Sequence, residues 1–273
     1  MSHAPVPTLT VAEHVYGQGV ALDDPAETYH EASRLSPNSA ATQPPGLALL
    51  LDGDPVLHAS VGRATRRHAH RPSLELDPPR VPRTSLATAF ERRRSRLASV
   101  CAVLSFADLS TMLACGYGSR RREDGDRRRL PSGGALYPLE LYVLPLSVDG
   151  AAPSVCHYDP YAHRLEVLRE SLAARDELAA VLVDPSLAAP ASAALVVTAV
   201  FWRSRFKYGQ RGYRFALLEA GHLAQNVLLT AALLDVPALP VGGFFDRALE
   251  ELLDIDGVDE SALYVLLLGG SRT

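Results

Sequence analysis

Lys207 and Tyr208 form the one adjacent pair in the segment Phe206–Gly212 whose side chains can move protons. Free lysine and tyrosine side chains have pKa values of about 10.4 and about 10, so neither is a base at neutral pH without help from its surroundings. Adjacent residues point to different faces of a helix or strand, so this pair can converge on one site only in irregular backbone. Gly209 and Gly212 permit such backbone. The alternative is an exposed lysine beside a packed tyrosine.

A second candidate is the arginine run in Glu91–Arg96, which reads ERRRSR. Guanidinium groups combined with a serine hydroxyl are suited to binding phosphate. Because the run contains a single acid, its arginines repel one another unless an anion is near. The alternative is a solvent-exposed helix face. The candidate phosphate ligands are Arg92, Arg93, Arg94, Ser95 and Arg96.

A third candidate is the segment Pro131–Pro138, which reads PSGGALYP. Adjacent glycines remove side chains where a backbone must approach something flat or charged. Ser132 adds a hydroxyl, and the free backbone N–H groups can face a ligand. The alternative is an ordinary tight turn before a strand.

Two further groups of polar residues have the spacing of metal ligands only in part. Glu219, His222 and Asn226 lie on one face of a predicted helix, where a hydrogen-bonded interior stripe is favoured over a metal site. His222 has no second histidine at ligand spacing, and the His68–His70 pair has no acidic or cysteine partner nearby in the sequence. We therefore predict no metal site.

The elements that must position these residues form an interleaved pattern of helices and strands. The predicted helices and strands do not repeat as uniform crossover units, so the fold is predicted to be α+β with helices packed on a sheet. The long helix is apolar on nearly every face, which favours burial near a homodimer interface. The predicted helices are 84–96, 106–116, 172–183, 213–234 and 247–253, and the strands are 139–146, 155–158, 164–168, 194–202 and 263–268, with a charged loop at 117–129.

The first eighty residues differ from the rest because turn residues are dense in them. We predict an N-terminal extension over residues 1–83, mostly loops with a short helix and a hairpin. The main domain then covers residues 84–273.

Composition excludes several classes of protein. The chain has 273 residues, 47% hydrophobic and 21% charged, with a net charge of −4, which is typical of a soluble globular protein. No basic stripe suggests nucleic-acid binding, and no apolar run approaches the ~20 residues of a membrane helix. The three cysteines form no CxxC pair, and the N-terminus does not resemble a secretory signal, so we expect a cytoplasmic location.

Taken together, these segments resemble the SagB-type dehydrogenases of the FMN-dependent nitroreductase-like superfamily. The resemblance runs from about Tyr29 to Gly270, through an early YHEAS segment. The blocks that carry it are RRRSR, PSGGALYPLELYVLP, HYDPYAHRLEVL, FKYGQRGYRFALLEAGHLAQNVLLTAALL, PVGGFFDRALEELL and LYVLLLGG.

The resemblance implies a nitroreductase-like fold and a homodimer that binds FMN at the subunit interface. Arg93, Arg94 and Ser95 match the family's phosphate-binding segment, but its final arginine aligns with Leu97. A register shifted by one makes Arg92 and Arg96 the matching arginines. The resemblance further assigns Lys207 and Tyr208 to catalysis and the following residues to the flavin: Pro131, Ser132, Gly133, Gly242, Gly243 and Arg272.

The implied reaction is oxidation of thiazoline or oxazoline rings to thiazoles or oxazoles in a ribosomally made peptide. The implied substrate is a cyclised precursor peptide, and the implied partner is a YcaO-type cyclodehydratase. The loop Arg120–Arg129 can contact an acidic leader peptide or can be a solvated loop. Two alternatives remain: an NAD(P)H-dependent nitroreductase-like enzyme acting on a small molecule, and a non-catalytic scaffold subunit of a biosynthetic complex.

Overall fold

A computed structural model describes residues 24–36, 53–54, 56–57, 61, 64–97, 100–122 and 125–271. Its centre is a seven-stranded sheet in the order β1-β6-β5-β4-β7-β9-β8, in which every neighbouring pair is antiparallel. The strands are β1 (Ser73–Glu75), β4 (Leu139–Pro145), β5 (Ser154–Asp159), β6 (Arg164–Glu170), β7 (Ala193–Val200), β8 (Ala238–Val241) and β9 (Glu260–Leu268). A separate hairpin consists of β2 (Ser119–Arg122) and β3 (Gly125–Arg128).

Helices cover both faces of this sheet, which confirms the predicted α+β class. The helices are α1 (Pro25–Ala32), α2 (Leu86–Arg92), α3 (Phe106–Tyr117), α4 (Ala174–Val181), α5 (Trp202–Tyr208), α6 (Arg211–Leu233) and α7 (Asp246–Leu253). Short 3-10 turns lie at Gly133–Ala135 and Pro185–Ala188.

Alternation along the central strands creates two hydrophobic cores. On β4, Leu139 and Leu141 join the core under α3 and α6, whereas Tyr142 and Leu144 join the core under α4 and α7. Successive side chains of a strand point to opposite faces, so one strand supplies both cores. This explains why the central strands read as continuous apolar runs.

Helix α6 packs on the sheet along one side only. Its buried residues recur at helical spacing, as in Ala216, Ala220, Leu223 and Val227. On the same helix, Leu217 is 43% exposed and Leu218 is 60% exposed. The chain therefore leaves apolar helix surface uncovered, which is where the sequence predicted a partner subunit.

Several predicted boundaries were wrong, and tertiary contacts explain them. Helix α2 begins after Ser85, whose side chain caps it as predicted, but it ends at Arg92 and not near Arg96. The next residues are extended because Ser95 and Arg96 pair with Ala238 at the start of β8. Strand β7 ends at Val200, where the prediction carried it to Trp202.

The segment before Arg83 contributes directly to the sheet. Strand β1 pairs with β6 at one edge, and residues 65–68 cross a sheet face. The boundary near residue 83 remains a prediction. The charged segment 117–129, predicted to be a loop, contains the hairpin β2–β3.

One end of the sheet carries a belt of buried polar groups. His157 on β5 lies between two carboxylates, with Nε2 2.8 Å from Glu140 and Nδ1 3.4 Å from Glu166. Burial alone would lower the pKa of His157, but these two hydrogen bonds raise it to about 9. Burial alone would raise the pKa of Glu140, but His157 and Arg203 hold it at about 2. The belt is therefore ionised at neutral pH.

Residues that precede β1 cover this polar belt. The Thr65 hydroxyl donates to Glu140 at 2.9 Å, and the His68 backbone N–H donates to Glu166 at 3.0 Å. The Arg66 side chain pairs with the fully buried Glu260. Buried carboxylates need such partners, because an unpaired buried charge is strongly destabilising. The belt therefore fixes the N-terminal segment to the sheet.

The belt predicts a specific pH dependence of stability. The folded-state pKa of His157 lies above its unfolded value, so its contribution is present below about pH 6.5 and is lost as the pH rises through about 9. We expect the free energy of unfolding of the wild type to exceed that of His157→Gln, and this difference to shrink by roughly 3 kcal/mol between pH 6 and pH 10. Urea unfolding of both proteins across this range measures it.

The exposed His222 provides the control. His222→Gln should leave the pH dependence of the wild type unchanged. A constant difference between wild type and His157→Gln across the range would contradict the assigned charge of His157.

Candidate active site

The elbow between α5 and α6 holds the predicted Lys-Tyr pair. Lys207 and Tyr208 occupy the last turn of α5, which stops at Gly209 with φ +54°. The two helices then touch closely, since a Cβ at Gly212 would lie 2.7 Å from the carbonyl carbon of Ser204. The expectation of irregular backbone at the pair was therefore wrong. The break follows it instead.

The pair is nevertheless brought together at one place. The Lys207 Nζ atom lies over the Tyr208 ring, 5.8 Å from its centroid. Both side chains are half-buried. The two groups of the elbow that can exchange protons therefore lie side by side.

The Tyr208 hydroxyl lies against the glycine loop. An ideal Cβ on Gly134 would be 2.7 Å from the Tyr208 oxygen, so a side chain there would collide with it. Gly134 also has φ +63°, a conformation that residues with side chains rarely adopt. The Cβ position of Gly133 is 3.1 Å from the Phe215 ring. Two glycines thus allow the loop to rest directly on the elbow.

The loop is held in a strained conformation by its own hydrogen bonds. Ala135 and Tyr137 have φ values of +54° and +45°, which cost energy in residues with a side chain. The Ser132 hydroxyl accepts the Tyr137 N–H at 2.9 Å and closes the turn. Strain of this kind clusters at functional sites.

The polar stripe of α6 differs from the prediction in two of its three members. Asn226 donates to the Arg129 carbonyl at 3.2 Å, as a satisfied interior group should. His222 is exposed and does not belong to the interior. Glu219 is buried, but neither of its oxygens has a hydrogen-bond partner among the described residues.

The arginine run forms a second cationic site. Since residues 94–96 are extended, alternate side chains share a side, and Arg92, Arg94 and Arg96 all line one cavity of about 450 Å³. Glu91 and Asp235 line it as well. Arg93 instead donates to the Ser95 hydroxyl at 3.2 Å. The geometry therefore favours Arg92 and Arg96 over Arg93 as anion ligands.

Leu97 has a structural role in place of the aligned arginine. It is half-buried and packs against the core under α4 and α7. The structure thus gives this position to packing, and Arg96 is the last cation of the run.

The remaining predicted flavin residues make no described contact with the glycine loop at the elbow or with the arginine cavity. Gly242 and Gly243 form an exposed turn after β8, where the Gly243 carbonyl accepts the Val183 N–H at 3.0 Å. Pro131 lines a separate cavity with four arginines. Arg272 lies outside the described residues. The arginine cavity borders the C-terminal half of α6, at Leu228, whereas the glycine loop borders its N-terminal half.

The elbow is anchored on two sides by contacts that sequence reasoning missed. Arg203 on α5 pairs with the buried Glu140 at 2.6 Å and so ties this helix to the polar belt. On the other side, the Arg214 side chain donates to the Ser33 hydroxyl at 2.8 Å, which docks the end of α1. These contacts join residues distant in sequence, and local patterns carry no signal of them.

A signal for Lys207 was present in the composition. The chain has 27 Lys and Arg residues, and Lys207 is its only lysine. At every other such position the chain uses arginine, which cannot give up its proton near neutral pH. The composition thus singles out position 207 as a candidate for proton exchange.

The histidines of residues 68–70 need one correction. His68 was taken to lack an acidic partner, but it lies beside His157 and Glu166, with ligand atoms of all three within 4.8 Å of one another. The two ring nitrogens of His157 already face Glu140 and Glu166, and its raised pKa favours a proton there. The absence of a metal site remains a prediction.

The donor set fits a flat cofactor that carries an anionic group. Guanidinium groups are suited to phosphate, and the side-chain-free surface of Gly133 and Gly134 admits a planar ring. The carboxyl group of Glu219, which has no hydrogen-bond partner among the described residues, lies on α6 one turn after Phe215, the residue whose ring meets Gly133. No helix in the described part of the chain is long and apolar enough to cross a bilayer.

The chain belongs to the Nitroreductase family, whose pattern matches residues 76–270. Members of this family are oxidoreductases that bind FMN. The fold described above is that of this class.

Particular relatives are consistent with this class. The chain is 33% identical over 184 residues to the nitroreductase-like protein MJ1384 of Methanocaldococcus jannaschii, covering 67% of this chain and 91% of that protein. It is 33% identical over 155 residues to the microcin B17-processing protein McbC of Escherichia coli, covering 52% of this chain and 54% of McbC. The chain thus spans about half the length of McbC.

A solved structure extends the likeness of the fold. The E. coli microcin synthetase McbBCD complex with truncated pro-MccB17 bound contains a chain that superposes with a TM-score of 0.58 at 22% identity. The superposition covers 89% of this chain and 100% of that chain. At this identity the likeness establishes the fold alone.

The close contact between loop and elbow can be tested by stability. Gly134→Ala should lower the free energy of unfolding more than Gly150→Ala, by about 1–2 kcal/mol. Both glycines have positive φ, but only Gly134 has Tyr208 within reach of an added methyl group. Urea unfolding measures both variants.

Removal of the hydroxyl provides the control. In a Tyr208→Phe background, Gly134→Ala should cost about as much as Gly150→Ala, because the colliding atom is gone. An equal effect of the two alanine substitutions in the wild type would show that the loop does not rest on Tyr208.

Proposed function

We propose that this chain is an FMN-dependent dehydrogenase that oxidises thiazoline and oxazoline rings to thiazoles and oxazoles in a ribosomally synthesised peptide. The observation that carries the proposal is the Tyr208 hydroxyl at the surface of the glycine loop, with Lys207 over its ring. A relay of hydride to a small nitroaromatic needs no such proton-transfer pair. The likeness to the microcin B17-processing protein supports a peptide substrate.

The proposed FMN contacts lie in two places, the arginine run and the glycine loop. Arg92, Arg94 and Arg96 would hold the phosphate of FMN, and Ser132 and Gly133 would approach its ring. When bound, FMN supplies the redox chemistry by accepting a hydride from the azoline ring. Gly242, Gly243 and Arg272 remain proposed contacts, with no support from the described geometry of this single chain.

The residues of the elbow would move the proton. Aromatisation also removes a ring hydrogen next to a carbonyl group, and this hydrogen leaves as a proton that needs a base. We assign the Tyr208 hydroxyl as that base, because it stands at the loop. Lys207, whose Nζ lies over the Tyr208 ring, would exchange the proton with Tyr208, and Arg203, through Glu140, would keep α5 in place. Molecular oxygen is the proposed final electron acceptor.

The proposed assembly includes a second copy of the chain and a cyclodehydratase. The exposed Leu217 and Leu218 on α6 provide apolar surface for a homodimer. A cavity of about 490 Å³ beside Pro131 is lined by Arg120, Arg127, Arg128 and Arg129, which supports contact with an acidic peptide segment. Arg128 itself is buried over the Tyr117 ring, so it supports the cavity wall and is not a free surface contact. Within the cytoplasm proposed for this enzyme, the YcaO-type cyclodehydratase would deliver the cyclised peptide.

The reaction is tested by mass spectrometry of a peptide already cyclised. The purified protein should be yellow, with absorbance near 450 nm, and should remove two hydrogens per ring. Lys207→Ala and Tyr208→Phe should keep the flavin and lose at least ~100-fold of the rate, the size typical of lost acid–base catalysis. Phe245→Leu, at an exposed aromatic residue beyond β8, should retain activity as a control.

The outcomes separate the alternatives. An unchanged peptide mass with flavin bound, together with NADPH-dependent turnover of a nitroaromatic, would replace the azole reaction with the small-molecule one. A colourless protein that still binds the cyclodehydratase would favour the scaffold role.

The single lysine allows the proton-transfer role to be separated from charge. An amine-directed reagent should modify one side chain, and the loss of activity should follow the labelled fraction of Lys207. Lys207→Arg keeps the positive charge but cannot exchange its proton near neutral pH, so we expect it to be inactive with flavin retained. Full activity of Lys207→Arg would reduce the role of this residue to charge alone.

A further inference from the structure

Glu219 is a buried carboxyl group without a partner. Its exposure is 2%, and neither oxygen has a hydrogen-bond partner among the described residues. By contrast, the buried glutamates Glu140 and Glu166 of the sheet have cations beside them. Buried polar groups that lack a partner are rare and mark sites with a function.

The charged and titratable groups packed around Glu219 are already committed elsewhere. The Arg128 guanidinium lies over the Tyr117 ring and donates to the carbonyls of Leu139 and Ala64. The Tyr117 hydroxyl donates to the Leu139 carbonyl at 2.6 Å. On α6 itself, His222 is exposed. No cation is therefore paired with Glu219 in the described structure.

The loop provides the one adjustable contact. Ser132 accepts the Tyr137 N–H, which leaves its own hydroxyl proton available to the Glu219 carboxyl group. Burial raises the pKa of Glu219 to about 7, while the nearby Ser132 hydroxyl and the charge of Arg128 act against this increase. The group is therefore poised to gain or lose a proton near neutral pH.

Glu219 and Tyr208 contact different parts of the glycine loop. Tyr208 lies at Gly134, Phe215 lies at Gly133, and the Ser132 hydroxyl is the part of the loop that acts on Glu219. Glu219 follows Phe215 by one turn of α6 and so lies on the same side of that helix. Acting on a ligand through the loop and through its charge, Glu219 would be a positioning residue.

We propose that Glu219 is a second ionisable group of the active site, which takes up a proton when negative charge is placed on the cofactor side of the glycine loop. This inference rests on the proposed function, because the flavin is the source of that charge. A neighbouring carboxylate disfavours added negative charge, whereas a neutral carboxylic acid does not. Proton uptake at Glu219 would make the site easier to reduce.

The test compares the wild type with Glu219→Gln across pH, using the flavin-loaded protein. The reduced-to-oxidised flavin ratio is measured by absorbance against a reference dye. At pH 6 Glu219 is mostly neutral, so the two proteins should agree. At pH 8.5 the variant should show a roughly tenfold higher ratio, the order expected for two charges in one partly buried site. Glu251→Gln, at an exposed glutamate on α7, should behave as the wild type.

A second variant separates titration from a merely structural effect. Ser132→Ala removes the hydroxyl that lowers the pKa of Glu219, so the pH at which wild type and Glu219→Gln diverge should move upwards in this background. A structural defect would instead shift the flavin ratio equally at every pH.

The failures are distinguishable. Flavin bound with the same pH dependence in wild type and Glu219→Gln would overturn this inference and leave the proposed reaction standing. A protein that binds no flavin would overturn both.

Discussion

The close approach of the Tyr208 hydroxyl to Gly134, which leaves no room for a Cβ atom there, is the constraint on which the site depends. It is possible only because one partner has no side chain and a left-handed backbone, and because the other ends a helix at a glycine. The contact places a proton-transfer group from the elbow at the loop surface. The position of the ligand-binding loop and the position of the proposed base are therefore set by the same pair of atoms.

A contact of this kind is useful only if both sides are rigid, and the buried ions provide that rigidity. Arg203 connects helix α5 to Glu140, and Glu140 shares His157 with Glu166. Such networks contribute less to stability than their number suggests, because each ion loses its hydration on burial. Their value here is geometric. Removal of one member leaves a buried charge unpaired, so the alternatives to this arrangement are disfavoured.

The sequence predicted the parts of the fold that depend on local periodicity and missed those that depend on distant partners. The long helix and the central strands have apolar residues at the correct spacing, and their bounds were close. The sequence predicted a strand up to Trp202 and then irregular backbone, where the structure has helix α5. The apolar run of β7 continues through Phe201 and Trp202, and no local signal ends it. The short strands β1 and β8 carry too few residues for a pattern.

The same distinction holds for the candidate site. The sequence identified the Lys207-Tyr208 pair and the glycine loop by their residue types. It could not predict that the pair and the loop contact each other, because that contact depends on the fold. The stripe on α6 gave three polar residues at the right spacing, but whether each has a partner depends on the loop that packs on it. Glu219 and His222 therefore took roles that helical periodicity could not separate.

The arginine run has a further consequence through its backbone. Strand β8 is the outermost strand of the sheet, and the N–H of Arg96 donates to the carbonyl of Ala238 at its start. Open sheet edges are templates for pairing between molecules. The arginine run that is proposed to bind phosphate also covers this open edge of the sheet. A chain in which the run is not yet ordered therefore exposes an edge that is prone to aggregation. Ordering of these few residues would thus serve both the binding of the cofactor and the protection of the protein against aggregation.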